Sequence, residues 1–118
     1  MTYLLAYGIL LYMAFRKATN QDVQGTCLQG SVTAKYCDLI RTFGEPHVLP
    51  DYEQKCAVEW RLVFPDETVA TIYSCKTIHV PDGVYDWHVG GHCADAVEHI
   101  AHALGDRCYS GRFDLVLK

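Results

Sequence analysis

Several familiar features are missing from this sequence, and each absence removes a class of function. There is no CxxC pair: the six cysteines, at 27, 37, 56, 75, 93 and 108, stand 10 to 19 residues apart. That spacing fits neither a zinc ribbon nor a thioredoxin-type redox motif. Basic residues are few and scattered, ten Lys and Arg against fourteen Asp and Glu for a net charge of −4, so no electrostatic footprint for duplex nucleic acid is present. The longest apolar run, Tyr3 to Phe15, has thirteen residues, well short of the ~20 that a membrane-crossing helix needs. GxSxG, HExxH and full phosphate-loop patterns are all lacking, so no nucleophile elbow, zinc protease helix or cofactor loop announces an enzyme, and no cofactor is expected.

What is present suits one globular unit. The 118 residues are half apolar, enough for a single domain spanning 1–118, with residues 1–18 an apolar N-terminal segment and 19–118 an α+β core. Arg16 and Lys17 follow the apolar run, whereas a secretion signal carries its charge in front. The run therefore reads as a buried or partner-covered strand or helix and a possible route to homo-oligomers. The alternatives are a dispensable leader, given a second Met at 13, or a membrane contact. The even cysteine count could suit a disulfide scaffold, but a chain large enough to bury its own core and without a convincing secretion signal points instead to reduced, mostly buried thiols in a reducing cytosol.

Along the chain, Val23–Val32 reads as a strand, interrupted at Gly25 and Gly30 by a bulge or a close backbone. Thr33 is an N-cap candidate for a helix running to about Thr42, closed by Gly44-Glu45-Pro46. Residues 45–54 carry no core pattern. Cys56, Val58, Trp60, Leu62 and Phe64 alternate with Ala57, Glu59, Arg61 and Val63, the period of a half-buried strand. Pro65-Asp66-Glu67 turns the chain into a second strand, Thr68–Lys76, to make a hairpin. After a loop over 77–83, Tyr85, Trp87 and Val89 alternate with Asp86 and His88, and Gly90-Gly91 is expected to end that strand. Ala94, Val97, Ile100, Ala101 and Leu104 recur at helical spacing from His92 to Leu104, with Gly105 as C-cap. Tyr109–Leu117 alternates weakly, as an edge strand would. The expectation is an α+β fold: a mainly antiparallel sheet of four to five strands with two helices on one face.

Three constellations deserve a chemical reading. The alternation places Glu59, Arg61, Asp86 and His88 on the face away from the core, a mixed-charge surface that can bind a partner or simply be solvated. Gly90-Gly91 before a helix resembles an anion-binding turn, although a strand-to-helix corner explains it as well. His92, Asp95, His99 and His102 fall at i, i+3, i+7 and i+10 of the second helix and form a possible zinc stripe, but lie where any amphipathic helix is polar. Cys93, beside His92 near the helix start, is the one thiol whose setting suggests activation, and packing is its commoner role.

The ordered set Gly25-Thr26-Cys27-Leu28-Gln29-Gly30, Phe43-Gly44-Glu45-Pro46, Ala57-Val58-Glu59-Trp60, Val69-Ala70-Thr71-Ile72-Tyr73 and Asp86-Trp87-His88-Val89-Gly90-Gly91 resembles a widespread family of small, largely uncharacterised proteins encoded by tailed bacteriophages. The resemblance covers roughly residues 24 to 105 and brings no catalytic residues with it. It implies a non-catalytic viral accessory protein in the host cytoplasm that antagonises a host defence system, for instance by anti-CRISPR-like docking on an effector protein. Two alternatives stand beside it: sequestration of a nucleotide signal, with Arg61, His88, Gly90 and Gly91 meeting phosphate, and a metal-dependent hydrolase built on the histidine stripe.

Overall fold

The computed structural model describes residues 15–48, 58–74, 80–81 and 83–105. Residues 1–14, 49–57, 75–79, 82 and 106–118 lie outside them, and with them most of the apolar N-terminal run, the start of the alternating strand at Cys56, the end of the second hairpin strand at Lys76 and the expected edge strand Tyr109–Leu117. Five strands, β1 (Arg16–Lys17), β2 (Cys27–Lys35), β3 (Glu59–Val63), β4 (Val69–Tyr73) and β5 (Val84–Gly91), form one sheet in the order β1-β3-β4-β5-β2. All pairings are antiparallel. The helices are α1 (Asn20–Val23), α2 (Tyr36–Phe43) and α3 (Asp95–Leu104). The α+β architecture with an antiparallel sheet is the expected one, with a third, one-turn helix added.

The register follows from side-chain alternation. Trp60, Leu62, Ala70, Ile72, Trp87 and Val89 are fully buried, and α2 and α3 supply Leu39, Phe43, Ala96, Ile100 and Leu104 to the same core. Both helices therefore cover one face. Trp60 and Trp87 meet edge to face with ring centroids 5.7 Å apart, and buried indoles need a polar partner for their N–H groups. Trp60 Nε1 donates to the Gly44 carbonyl at 2.8 Å and Trp87 Nε1 to that of Ala34 at 3.0 Å. Tyr85 is half-buried and stands edge-on to Trp87.

The hairpin between β3 and β4 has a three-residue loop. Glu67 N–H donates to the Phe64 carbonyl and Phe64 N–H to that of Thr68, each at 2.9 Å. Glu67 occupies the left-handed region at φ 71°, the position glycine usually holds after a type I turn. Asp66 stabilises the turn by accepting from Thr68 N–H at 3.1 Å.

Three expectations about boundaries are corrected. The strand read as Val23–Val32 begins at Cys27, because Thr19 and Asp22 form a reciprocal cap that winds Asn20–Val23 into a helical turn. Thr33 does not cap a helix: it pairs with Asp86 in the ladder and its hydroxyl donates to that carboxylate, so β2 runs on to Lys35. The pair Gly90-Gly91 does not end β5. Both glycines are paired with β4 and β2, and helix α3 starts only at Asp95. Before α1, Phe15 packs on the main core, while Ala18 is buried in a second cluster with Val63 and Val69. The register shift between Leu28 and Gly30 is the bulge that the glycine-interrupted pattern suggested, and Gln29 Nε2 there donates to the Gly91 carbonyl at 3.0 Å.

Candidate functional site

The face opposite α2 and α3 is where the polar alternation leads. Across the strands Glu59 pairs with Tyr73 and Tyr73 with His88, while Arg61 pairs with Thr71 and Thr71 with Gly90. Two adjacent rows of the sheet thus carry nearly all the chemistry of this face. Helix α1 and Thr26 and Cys27 after it form a wall at one side, and the result is an open cavity of about 340 Å³ lined by Val23, Thr26, Cys27, Glu59, Arg61, Thr71, Tyr73 and Gly90. Gly90 suits this position: a Cβ here would sit 2.6 Å from Thr71 Oγ1, too close unless that side chain shifts, and in contact with the Tyr73 ring at 3.5 Å.

Arg61 organises the cavity. Its Nε donates to Glu59 Oε2 at 2.8 Å and its Nη1 to Asn20 Oδ1 at 3.2 Å, which joins β3 to α1. Its backbone N–H donates to His47 Nδ1 at 2.9 Å. Burial, followed by the nearby charge of Lys17, pushes His47 below its ordinary value, consistent with a ring nitrogen used as an acceptor. His88 stacks on Tyr73 with centroids 5.5 Å apart, and its Nδ1 is buried with no hydrogen-bond partner among the described residues. A buried nitrogen in that state is one for which a partner group or a water would be favourable.

Of the residues expected to form a binding surface, Glu59, Arg61 and Gly90 line the cavity and His88 lies beside it. Asp86 is on the same face but further along β5, engaged by Thr33. Gly91 faces the other way, into the core, where an added Cβ would come within 2.7 Å of the Ala96 Cβ. Because Gly90 and Gly91 are strand residues bonded into the ladder, the glycine pair is a tight packing device and not the loop of free N–H groups that an anion site requires. Thr71 and Tyr73 escaped the sequence reading although their alternation with Ala70 and Ile72 carries the signal. The contributions of Val23, Thr26 and Cys27 had no such signal, since they depend on where α1 folds back.

The histidine stripe is not assembled. His92 precedes α3, and its Nε2 donates to the Asp22 carbonyl at 2.9 Å. His99 Nε2 lies 2.8 Å from Asp66 Oδ2 and its Nδ1 2.8 Å from the Asp95 carbonyl, so it pins the hairpin tip to α3. Among the described residues no three His, Cys, Asp or Glu side chains converge as a metal-holding group. The described cysteines, Cys27, Cys37 and Cys93, are free and exposed, a correction to the expectation of mostly buried thiols. Among the described residues no helix is long and apolar enough to cross a membrane. Neither a protein-family model, nor a curated protein, nor a solved structure matches this chain.

Proposed function

We propose that this chain acts by non-covalent docking on a partner protein, through the sheet face that carries Glu59, Arg61, Tyr73 and His88. The observation that supports this reading is the gathering of those side chains, with Thr71, on three adjacent strands opposite the helix layer. A shallow mixed-charge surface around a half-buried arginine and an aromatic pair has the composition of a protein-contact patch, in which Arg and Tyr supply most of the anchoring. The net charge of −4 favours a basic partner and speeds encounter with one through complementary potentials. Together with the resemblance to phage accessory proteins, this makes a host defence effector with a basic nucleic-acid groove, of the CRISPR type, the partner we favour, met in the host cytoplasm.

Nucleotide capture has less to rest on. Arg61 is already neutralised by Glu59 and bonded to Asn20, so its charge is not free for phosphate, and Gly90 and Gly91 are held in the ladder. The test is a titration of this chain against purified CRISPR effectors while cleavage of a labelled target is followed. Docking predicts that inhibition saturates at a stoichiometric end point and that added salt slows its onset. Inhibition that persists far below the effector concentration, with a modified effector accumulating, would show turnover instead.

A further inference from the structure

We infer that His47 and Val48 form a proton-operated latch on the side of β3 that faces β1, with the His47 imidazole as its pin. In an antiparallel sheet every second residue of a strand turns both its N–H and its C=O to the same side, and on this side of β3 these are Glu59, Arg61 and Val63. Val63 pairs with Arg16 of β1. The Arg61 carbonyl accepts from Ala18 N–H at 2.9 Å, just beyond that strand. The chain then leaves the sheet, because Thr19 caps α1. At Glu59 the side is taken over by Val48, which exchanges two bonds with it at 3.0 Å each, while His47 N–H donates to the same Glu59 carbonyl at 2.9 Å. Between these two partners falls the Arg61 N–H. It donates to His47 Nδ1 at 2.9 Å, so an imidazole nitrogen holds the place where a continued β1 would have put a carbonyl.

That bond fixes the chemistry of the ring. Nδ1 accepts only with its lone pair free, so the hydrogen of the neutral ring is at Nε2, and a second proton can be added only at Nδ1. There it meets the Arg61 N–H donor against donor. The charges that act on the ring add to the conflict, since Lys17 of β1 and the Arg61 guanidinium are both cations, and the carboxylate on this stretch of β3, Glu59, is taken up by Arg61 Nε. Burial, and then Lys17, accordingly hold His47 below its ordinary value. Protonation breaks the bond to Arg61 and leaves the segment tied to β3 through Glu59 alone. Glu59 and Arg61 both line the cavity, so the open latch loosens β3 at that cavity's base, and this holds whatever binds there. Histidine is the side chain whose charge changes in the range where such a device is useful.

The experiment is heteronuclear NMR on the full chain from about pH 7.5 to about pH 5, a range that spans the ordinary histidine value. Ring-nitrogen shifts report the His47 tautomer, and amide exchange, expressed as protection factors, reports the state of β3. The expected result is a ring with its hydrogen at Nε2 at the upper pH. As His47 titrates, protection at Arg61 should fall about tenfold or more, while Trp60 and Leu62, whose N–H groups turn toward β4, keep theirs. His47→Asn, which presents an acceptor that does not titrate, should hold Arg61 protection constant over the same range, and His47→Ala should show the low value throughout. Arg61 protection that is unchanged through the His47 titration overturns the inference. So does a ring with its hydrogen at Nδ1 at the upper pH, a loss in His47→Asn equal to that of the wild type, or a simultaneous loss at Trp60 and Leu62, which would be general unfolding and not a latch.

Discussion

At the scale of single residues, Glu67 shows how a locally unfavourable choice is tolerated. Its left-handed backbone is one that residues with a Cβ adopt at a cost of roughly 1–2 kcal/mol, and nothing in the turn requires a side chain there, because the turn's bonds come from Phe64, Asp66 and the backbone. Glu67→Gly should therefore raise stability by about 1 kcal/mol, measured as a shift in the midpoint of denaturant unfolding. A loss of stability would mean that Glu67 makes a contact worth more than its strain. Trp60 is the opposite case: zero exposure, a satisfied indole N–H and aromatic neighbours on two sides follow directly from its place in the alternating run. Glu59, next to it, is legible for the same reason with the opposite sign.

Elements differ in how far the sequence announces them. The β3–β4 hairpin, the inward residues of β5 and the body of α3 were readable because a strict period, two or 3.6, is imposed by one buried face. Boundaries were not readable where two local signals compete. Thr33 suits an N-cap and equally suits a strand, and the cross-strand bond to Asp86 decides for the strand. Gly90 and Gly91 look like a terminator, yet the crowding by Thr71, Val69 and Ala96 shows that they are glycines so that β5 can continue beneath its neighbours. The α1 turn rests on the Thr19–Asp22 cap, and only its position over β3 and β4 turns a flat sheet face into a cavity. Of the cavity lining, Glu59, Arg61 and Gly90 were therefore legible in the sequence, and the wall made by Val23, Thr26 and Cys27 was not.

The caps and polar contacts of these elements make stability depend on pH in a defined direction. Hydrogen bonding from Thr19 N–H, then from Arg16, holds the Asp22 carboxyl down at about 2, and the Thr68 contacts, with His99, lower that of Asp66. Carboxyls lowered in the folded state stabilise it above their ordinary range near 4, and that contribution is lost as pH falls through the folded value. Burial lowers His47 as well, so protonation disfavours the fold below the ordinary histidine value of about 6.5. Thermal midpoints should accordingly decline between pH 7 and 5 and again below pH 4. His47→Asn, which keeps an acceptor for Arg61 N–H without titrating, should flatten the first decline. An unchanged decline in that variant would assign it to another group.

For the whole molecule, the helix layer supplies stability and the opposite face supplies the chemistry. Helices α2 and α3 and the inward side chains of β2 to β5 form one continuous core, whereas the other face combines a small apolar cluster beneath α1 with the Arg61 network. The docking proposed above places the burden on that one face. The most direct measurement compares the affinity of Arg61→Ala and Glu98→Ala for an effector that the wild-type chain inhibits. Arg61 anchors the cavity, while Glu98 is exposed on α3. The account predicts that Arg61→Ala weakens binding by tenfold or more, the usual effect of truncating a central arginine anchor, while Glu98→Ala leaves it within about twofold with both variants folded. Equal affinities for Arg61→Ala and wild type, or a loss confined to Glu98→Ala, would contradict it and move the contact surface to the helix layer.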